Sequence, residues 1–391
     1  MKYYIIAGEA SGDLHGSNLI RELNLLDPQV LIRGWGGDLM QQAGANIVKD
    51  YKELAFMGFT EVIKNLPAIM GNFRFCKRDV QAFQPDALIL IDYPGFNLRI
   101  SQWAKKKGFK VIYYISPQVW AWKENRVKTI KECVDKMLVI LPFEKEFYKR
   151  WGFEVEYVGH PLVQVINEFM KRSSEEVAKH GELNSLPGVY GQRENKPPDR
   201  TQRLPVIALL PGSRKQEILK KLPVMLKVSK WLPQYKFIVA QAPGLDEFFY
   251  EDILKNYPEV STIRGGTYEL LSTASAACVT SGTATLETAL FKVPEVVCYK
   301  SNAISYQIAK RLIKVKYISL VNLIMDKPVV KELIQGELIP ENLLQALNEI
   351  LNDPSRIKAL DADYDELKRI LSNKGNASAN AAKSIADYMD G

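Results

Sequence analysis

The chain is poor in the residues that hold metals and disulfides. Its 391 residues include four cysteines and three histidines. Cys76, Cys133, Cys278 and Cys298 stand far apart without a CxxC pair, and His15, His160 and His180 are equally scattered. A structural zinc site needs closely spaced ligand pairs and a disulfide framework needs a dense cysteine pattern, so neither organises this chain. No metal and no cofactor is expected, and the thiols read as buried and free, as in a reducing compartment. No apolar run approaches the roughly 20 residues that span a bilayer. The N-terminus meets Glu9 and Asp13 too early for a secretory segment. A cytoplasmic chain follows, with membrane contact limited to its periphery. GxGxxG is absent too, since Gly34-Trp35-Gly36-Gly37 does not match it. That disfavours a dinucleotide dehydrogenase.

What is present is ordinary globular material, 47% hydrophobic and 25% charged. At about 150 residues per domain the length gives two to three domains. The net charge of +7 suits phosphates, nucleotides or acidic head groups, and equally occurs with no such partner. Short aliphatic runs alternate with amphipathic segments, the pattern of βαβ units and parallel sheet. Strands are expected at 3–7, 87–91, 111–115, 136–140 and 156–158. A second series falls at 206–210, 236–240, 262–264, 277–280 and 295–299. The expected fold class is α/β, two Rossmann-like halves facing each other across a cleft. The first spans 1–170 and the second 205–345. Residues 171–204 form a linker or insertion, rich in Gly, Pro, Asn and charge from 182 to 203, and 346–391 a helical tail.

Chemistry concentrates where strands end. Gly8-Glu9-Ala10-Ser11-Gly12-Asp13 follows the first strand. Its glycines permit a tight turn and close approach of a ligand, and Ser11 or Asp13 can cap the next helix. Glu9 is the discordant residue, a carboxylate placed to meet a substrate hydroxyl. Asp92 ends the run Ala87-Leu88-Ile89-Leu90-Ile91 and precedes Tyr93-Pro94-Gly95. It reads either as a desolvated general base or as a turn-initiating Asp. Ser116-Pro117-Gln118-Val119-Trp120-Ala121-Trp122 resembles a loop facing sugar or acyl chains, although core packing suits at least one of its tryptophans better.

In the second half, Pro211-Gly212-Ser213-Arg214 ends a strand with glycine and a cation able to grip a diphosphate. Thr280-Ser281-Gly282-Thr283 opens a helix, a natural anion site, with Glu287 close enough to hold ribose hydroxyls. Capping alone accounts for the Ser and Thr residues, but not for their combination with Arg214. Residues 54–78 interleave Val62, Leu66, Ile69, Met70 and Phe73 with Lys64, Arg74, Lys77 and Arg78, and Pro67 is expected to divide them into two short helices. The segment reads equally as an interfacial element or as a helix packed on the sheet. Residues 304–316 are a weaker second instance.

Taken in order, AGEASGD, MGFTEV, IDYPGFN, SPQVWAW, LPFEKEFY, VGHPL, LLPGSR, TSGTATLE and KYISLVNL make the chain resemble the bacterial lipid A disaccharide synthases from Tyr4 to about Leu338. Residues 182–203 share no motif with them. The resemblance implies a GT-B-type fold and metal-independent, inverting hexosyl transfer from UDP-2,3-diacylglucosamine to the 6-hydroxyl of 2,3-diacylglucosamine 1-phosphate. UDP and a β-1,6-linked disaccharide phosphate would be the products. It implies Asp92 as base, with Glu9 its competitor or positioning partner. Arg214, Ser213 and the turn Ser281, Gly282, Thr283 would serve the nucleotide, with Glu287 on the ribose. Ser11, Gln118, Trp120 and Asn322 would be further site residues. The 54–75 surface would meet acyl chains and the inner leaflet of the cytoplasmic membrane; nucleic acid is not an expected partner. Two rivals remain, another UDP-sugar enzyme such as a peptidoglycan glycosyltransferase or an epimerase, and a non-catalytic nucleotide-sugar or lipid binder that has no use for Asp92.

Overall fold

A computed structural model describes residues 1–54, 66–122, 124–180, 189–190, 204–242, 244–302 and 315–391. The chain forms two compact units, residues 1–164 with 371–391, and residues 165–370. In the first, β1 (Lys2–Ala7), β2 (Leu31–Gly36), β3 (Asn46–Asp50), β4 (Ala87–Ile91), β5 (Lys110–Tyr114), β6 (Lys136–Val139) and β7 (Glu156–Tyr157) make one parallel sheet, ordered β3-β2-β1-β4-β5-β6-β7. β4 is five aliphatic residues buried throughout, as a strand covered by helices on both faces must be. At Gly34 a Cβ would lie 1.9 Å from the Ile5 carbonyl oxygen, so β2 pairs with β1 only through a residue without a side chain.

The second unit repeats the plan. β9 (Val206–Leu210), β10 (Lys236–Gln241), β11 (Ser261–Arg264), β12 (Ala274–Thr280), β13 (Glu295–Tyr299) and β14 (Lys331–Ile334) lie parallel, with β8 (Val189–Tyr190) antiparallel on β11. The order is β14-β13-β12-β9-β10-β11-β8. Ala208, Leu210, Ile238, Val279 and Leu270 form part of its core. In both sheets the order reverses beside the first strand, at β1/β4 and at β9/β12. Open α/β sheets bind ligands outside the carboxyl ends of the strands at such a reversal.

All ten expected strands are present. β2, β3 and β14 were not foreseen: β2 carries two glycines and Arg33, while β3 and β14 are short and charged. Arg33 is tied to Asp79 at 2.8 Å, which lets a cation sit in a strand beside the core. Within the expected linker, the helix Pro161–His180 runs through residue 180, and β8 adds an edge strand. The rest of 182–203 lies outside the described residues. The segment expected as one tail is divided. Helix Pro340–Asn352 and most of Pro354–Ser372 belong to the second unit, whereas Ala377–Asp390 packs on helix Ala10–Leu26 of the first. The small residues Ala377, Ala381 and Ala382 permit that approach, and the Asn376 amide donates to Glu22 at 2.9 Å. The four cysteines are free and buried. Among the described residues no helix is long and apolar enough to cross a membrane, and no cluster of His, Cys, Asp and Glu could hold a metal ion.

Gly34→Ala should destabilise the protein by about 1–3 kcal/mol, the cost of overpacking a closed site, read as a lowered urea midpoint. An unchanged midpoint would show that β1 and β2 can part without penalty.

Candidate functional site

At the reversal of the first sheet, the chain leaves β1 through Gly8 and Glu9 and leaves β4 through Asp92 and Tyr93. Glu9 is the N-cap of helix Ala10–Leu26 in extended geometry, with its side chain making no cap hydrogen bond. Asp92 (φ 42°), Tyr93 (φ 48°) and Ile115 (φ 65°) all adopt left-handed backbone. Each such residue costs on the order of 1–3 kcal/mol unless its surroundings hold it. Here they do. The Asp92 amide donates to Ile115 O at 3.3 Å. Its carbonyl accepts from Tyr113 Oη at 2.5 Å and from Asn97 Nδ2 at 2.8 Å. The fully buried Asn97 amide also reaches Ile91 O at 3.2 Å and Ile6 O at 3.4 Å, pinning the ends of both strands. A Cβ on Gly8 would lie 2.4 Å from the Tyr93 ring, so glycine makes room for the turn after β4.

This turn perturbs the Asp92 carboxyl. Burial, then the negative charge of Glu9, push its pKa up to about 7, against a backbone hydrogen bond at Tyr93 that lowers it. An Asp with that pKa is half-ionised near neutrality and basic enough to take a hydroxyl proton. Three other buried titratable groups of the unit are perturbed as well. Glu144 is buried, accepts from Leu141 N at 3.0 Å, and is pushed up to about 8 by desolvation. Burial drives His15 down to about 4 and His160 to about 3, the latter helped by His15.

The remaining first-unit candidates divide. Ser11 and Gln118 are exposed. Asp13 does not cap its own helix. Its carboxylate accepts from Gly37 N, Leu39 N and Met40 N at 2.8–3.2 Å, capping helix Asp38–Gln42 instead. Trp120, expected to face substrate, is buried and packs edge-on against Phe143 with centroids 4.9 Å apart. Its role is packing. Phe73, expected to meet acyl chains, is likewise buried and stacks on Phe96 at 4.4 Å. Pro67 stands in the first turn of helix Leu66–Phe83, where its missing N–H is not needed, and so starts that helix. Ile69 is half-buried and Met70 exposed, beside exposed Arg74 and Arg78. Val62 and residues 304–314 lie outside the described residues, as does the side chain of Leu66.

At the second reversal, Leu210 and Val279 are register partners, so the turns after β9 and β12 adjoin. Ser213 and Arg214 are exposed, Arg214 as N-cap of helix Lys215–Ser229. Its guanidinium lies 3.5 Å from Glu217. A pair this open is worth about 0–1 kcal/mol, so it does not lock the arginine away from a ligand. Gly282, at φ 145°, is the N-cap of helix Thr283–Leu290 and a backbone only glycine adopts readily; Thr283 is exposed at the helix start. Ser281 spends its hydroxyl on Ile318 O at 2.7 Å. Glu287, half-buried one turn further on, accepts from Tyr268 Oη at 2.9 Å, while burial raises its pKa. Asn322 is buried and fully engaged, exchanging hydrogen bonds with the Val330 backbone and donating to Glu332 at 2.9 Å. Glu332 in turn accepts from Ile318 N and Ser319 N. Asn322 therefore braces the loop that receives Ser281. Tyr113 and Tyr268 went unread in sequence because their partners lie 21 and 19 residues away, and Asn97 and Glu332 because nothing local shows which backbone groups they serve.

Two Rossmann-type units, each with polar side chains gathered at its reversal, define a GT-B-type protein, the architecture of many glycosyltransferases and of sugar-nucleotide epimerases. Solved structures with this fold include the UDP-GlcNAc 2-epimerase from Neisseria meningitidis bound to UDP-GlcNAc, at TM-score 0.67 and 13% identity over 100% of this chain and 99% of that one. The kitacinnamycin glycotransferase is similar at TM-score 0.63 and 14% identity, over 99% of each chain. At such identities the likeness concerns fold alone. Sequence is more specific. The profile of the lipid-A-disaccharide synthetase family matches residues 3–387. The lipid-A-disaccharide synthase of Syntrophus aciditrophicus is 41% identical over 387 residues, 97% of this chain and 96% of that protein. The Geobacter metallireducens synthase is 39% identical over 376 residues, 95% and 93% of the two chains. The chain belongs to the lipid-A-disaccharide synthetase family.

Asn97→Ala removes the buried amide that holds the ends of β1 and β4, while Tyr113 still serves the Asp92 carbonyl, and should cost about 1–3 kcal/mol, the scale of a lost buried hydrogen-bond donor. Urea unfolding measures it. A loss below about 0.5 kcal/mol, the scale of a surface substitution, would remove Asn97 from the support of the Asp92 turn.

Proposed function

We infer that the chain is an inverting hexosyltransferase of lipid A biosynthesis, joining UDP-2,3-diacylglucosamine to the 6-hydroxyl of 2,3-diacylglucosamine 1-phosphate and releasing UDP. Family membership supports the overall reaction. The observation that carries the mechanism is Asp92, a carboxyl at a sheet reversal with its pKa pushed up to about 7. The acceptor hydroxyl is a weak nucleophile until its proton is taken, and Asp92 takes it. Attack at the anomeric carbon passes through an oxocarbenium-like transition state, and a single displacement inverts the configuration. Charge builds on the departing diphosphate. Arg214 and the backbone N–H groups at the start of helix Thr283–Leu290 stabilise it. Glu287, oriented by Tyr268, holds the ribose. Glu9 keeps Asp92 basic through its charge and stands next in line as base.

The sign of the pH dependence follows from Asp92. The base must be ionised, so turnover rises with pH through about 7 and is lost below it. Asp92→Asn should cut turnover roughly 10²–10⁴-fold, the usual contribution of a positioned base, erase that acidic limb and leave UDP affinity unchanged. Glu9→Gln removes one of the two upward influences on Asp92, so the limb should move to lower pH. Near-parental turnover in Asp92→Asn, with Glu9→Gln inactive yet folded, would transfer the base to Glu9.

Peripheral attachment to an anionic inner leaflet is the second part of the reading, supported by the exposed stripe of Met70, Arg74 and Arg78 on helix Leu66–Phe83. Replacing Arg74 and Arg78 with Gln should weaken partition onto anionic vesicles roughly 30-fold, at about 1 kcal/mol per cation, and leave neutral vesicles unaffected. Met70→Ser should weaken both. Equal sedimentation of variants and parent would return the helix to a purely structural role.

A further inference from the structure

The nucleotide turn of the second unit contains a charge arrangement that the reaction above does not use. Lys221, on helix Lys215–Ser229, is 2% exposed, so its ammonium is withheld from water. Its ion-pair partner is Glu217, at 3.6 Å. The same carboxylate lies 3.5 Å from Arg214. Both separations exceed a well-formed charged hydrogen bond, so Glu217 is shared between two cations and saturates neither. Glu217 and Lys221 meet Thr280 at Gly212. A Cβ there would lie 2.7 Å from Glu217 Oε2, 3.5 Å from Lys221 Nζ and 3.4 Å from Thr280 Oγ1. Gly212 has φ 113°, so the turn also requires glycine for its backbone. Thr280 is buried, and its hydroxyl has no hydrogen-bond partner among the described residues. A buried ammonium and an unpartnered buried hydroxyl thus point at the turn that carries Arg214, from the side away from solvent.

We propose that Glu217 is the internal counter-ion of the diphosphate site, shared by Arg214 and Lys221 while the site is empty and left to Lys221 alone when a nucleoside diphosphate takes Arg214. Lys221 is then a positioning residue: it stays paired with the carboxylate beside the turn, so the incoming anion does not meet an uncompensated negative charge. Arg214 is 55% exposed and swings on a flexible stem, whereas Lys221 is fixed by its burial. The exposed partner is therefore the one that changes hands. Burial disfavours the charged form of Lys221, and Glu217 opposes that, with the Cys298 thiol from β13 on the same side. Glu217 thereby helps the buried ammonium to keep its charge.

The inference rests on the assignment of the nucleotide to this turn, and the test separates the two. Calorimetry on the full chain would measure UDP and uridine binding in the parent, Lys221→Met, Glu217→Gln, the double variant and Arg214→Ala. Lys221→Met should weaken UDP about tenfold, the scale of one charged contact, with uridine unchanged because it carries no phosphate. Adding Glu217→Gln to Lys221→Met should restore UDP affinity, since the repelling carboxylate is gone. Glu217→Gln alone frees Arg214 and should tighten UDP about threefold, a modest surface charge effect that needs no change at Lys221. That arm serves even where Lys221→Met fails to fold. UDP and uridine weakened alike by Lys221→Met, a double variant as weak as the single, or Glu217→Gln binding UDP no tighter than the parent would each overturn the counter-ion role. Where UDP binds and Arg214→Ala weakens it, such a failure leaves the nucleotide assignment standing. A parent that binds UDP with Arg214→Ala no weaker overturns both.

Discussion

Between β1 and β4 the connections must depart to opposite faces of the sheet, and the two strand ends there have to be held together. The protein holds them with one buried amide. Asn97 collects the carbonyls of Ile6, Ile91 and Asp92, and Tyr113 adds a second donor to the last. That bracing lets Asp92 and Tyr93 persist in left-handed backbone, which turns the Asp92 carboxyl towards Glu9 and away from full solvation. The perturbed carboxyl is thus a consequence of how a parallel sheet reverses. Its strain is tolerable because the groups holding it are themselves buried and fixed.

The second unit solves the same topological problem with different chemistry. Its reversal carries glycine turns, a buried lysine and a network running from Ser281 through Ile318 and Glu332 to Asn322. Where the first unit raises a carboxyl's pKa by burial and then by a neighbouring negative charge, the second sets two cations around a single carboxylate. One fold, used twice, presents a perturbed carboxyl at one reversal and paired cations at the other because the side chains at the strand ends differ and the scaffold beneath them does not.

Most of the architecture was legible in the sequence, because buried parallel strands leave uninterrupted aliphatic runs such as Ala87–Ile91. Strands that break the pattern were not. β2 hides behind its glycines and Arg33, whose charge is neutralised by Asp79, a residue 46 positions away. Positions of candidate groups at strand ends could be read, but their surroundings could not. Trp120 and Phe73 carry the same letters as solvent-facing aromatics, and only the packing against Phe143 and Phe96 reveals them as core. Asp13 reads as a cap for its own helix and serves another, since hydrogen-bond partners 24 to 27 residues away leave no local trace.

The return of the last helix to the first unit bears on how the chain comes off the ribosome. The second unit is one unbroken stretch, complete once residue 370 has emerged, whereas the first waits for residues 371–391. Until then, helix Ala10–Leu26 lacks the cover of Ala377, Ala381, Ala382 and Ile385, the carboxylate of Glu22 lacks the Asn376 amide, and Glu156 lacks the Ser384 hydroxyl. The half that is synthesised first is therefore finished last. A nascent chain carries an unsealed amphipathic helix until residues 371–391 have emerged, a natural target for chaperones, and a stop placed before residue 371 damages the unit that residues 1–164 begin.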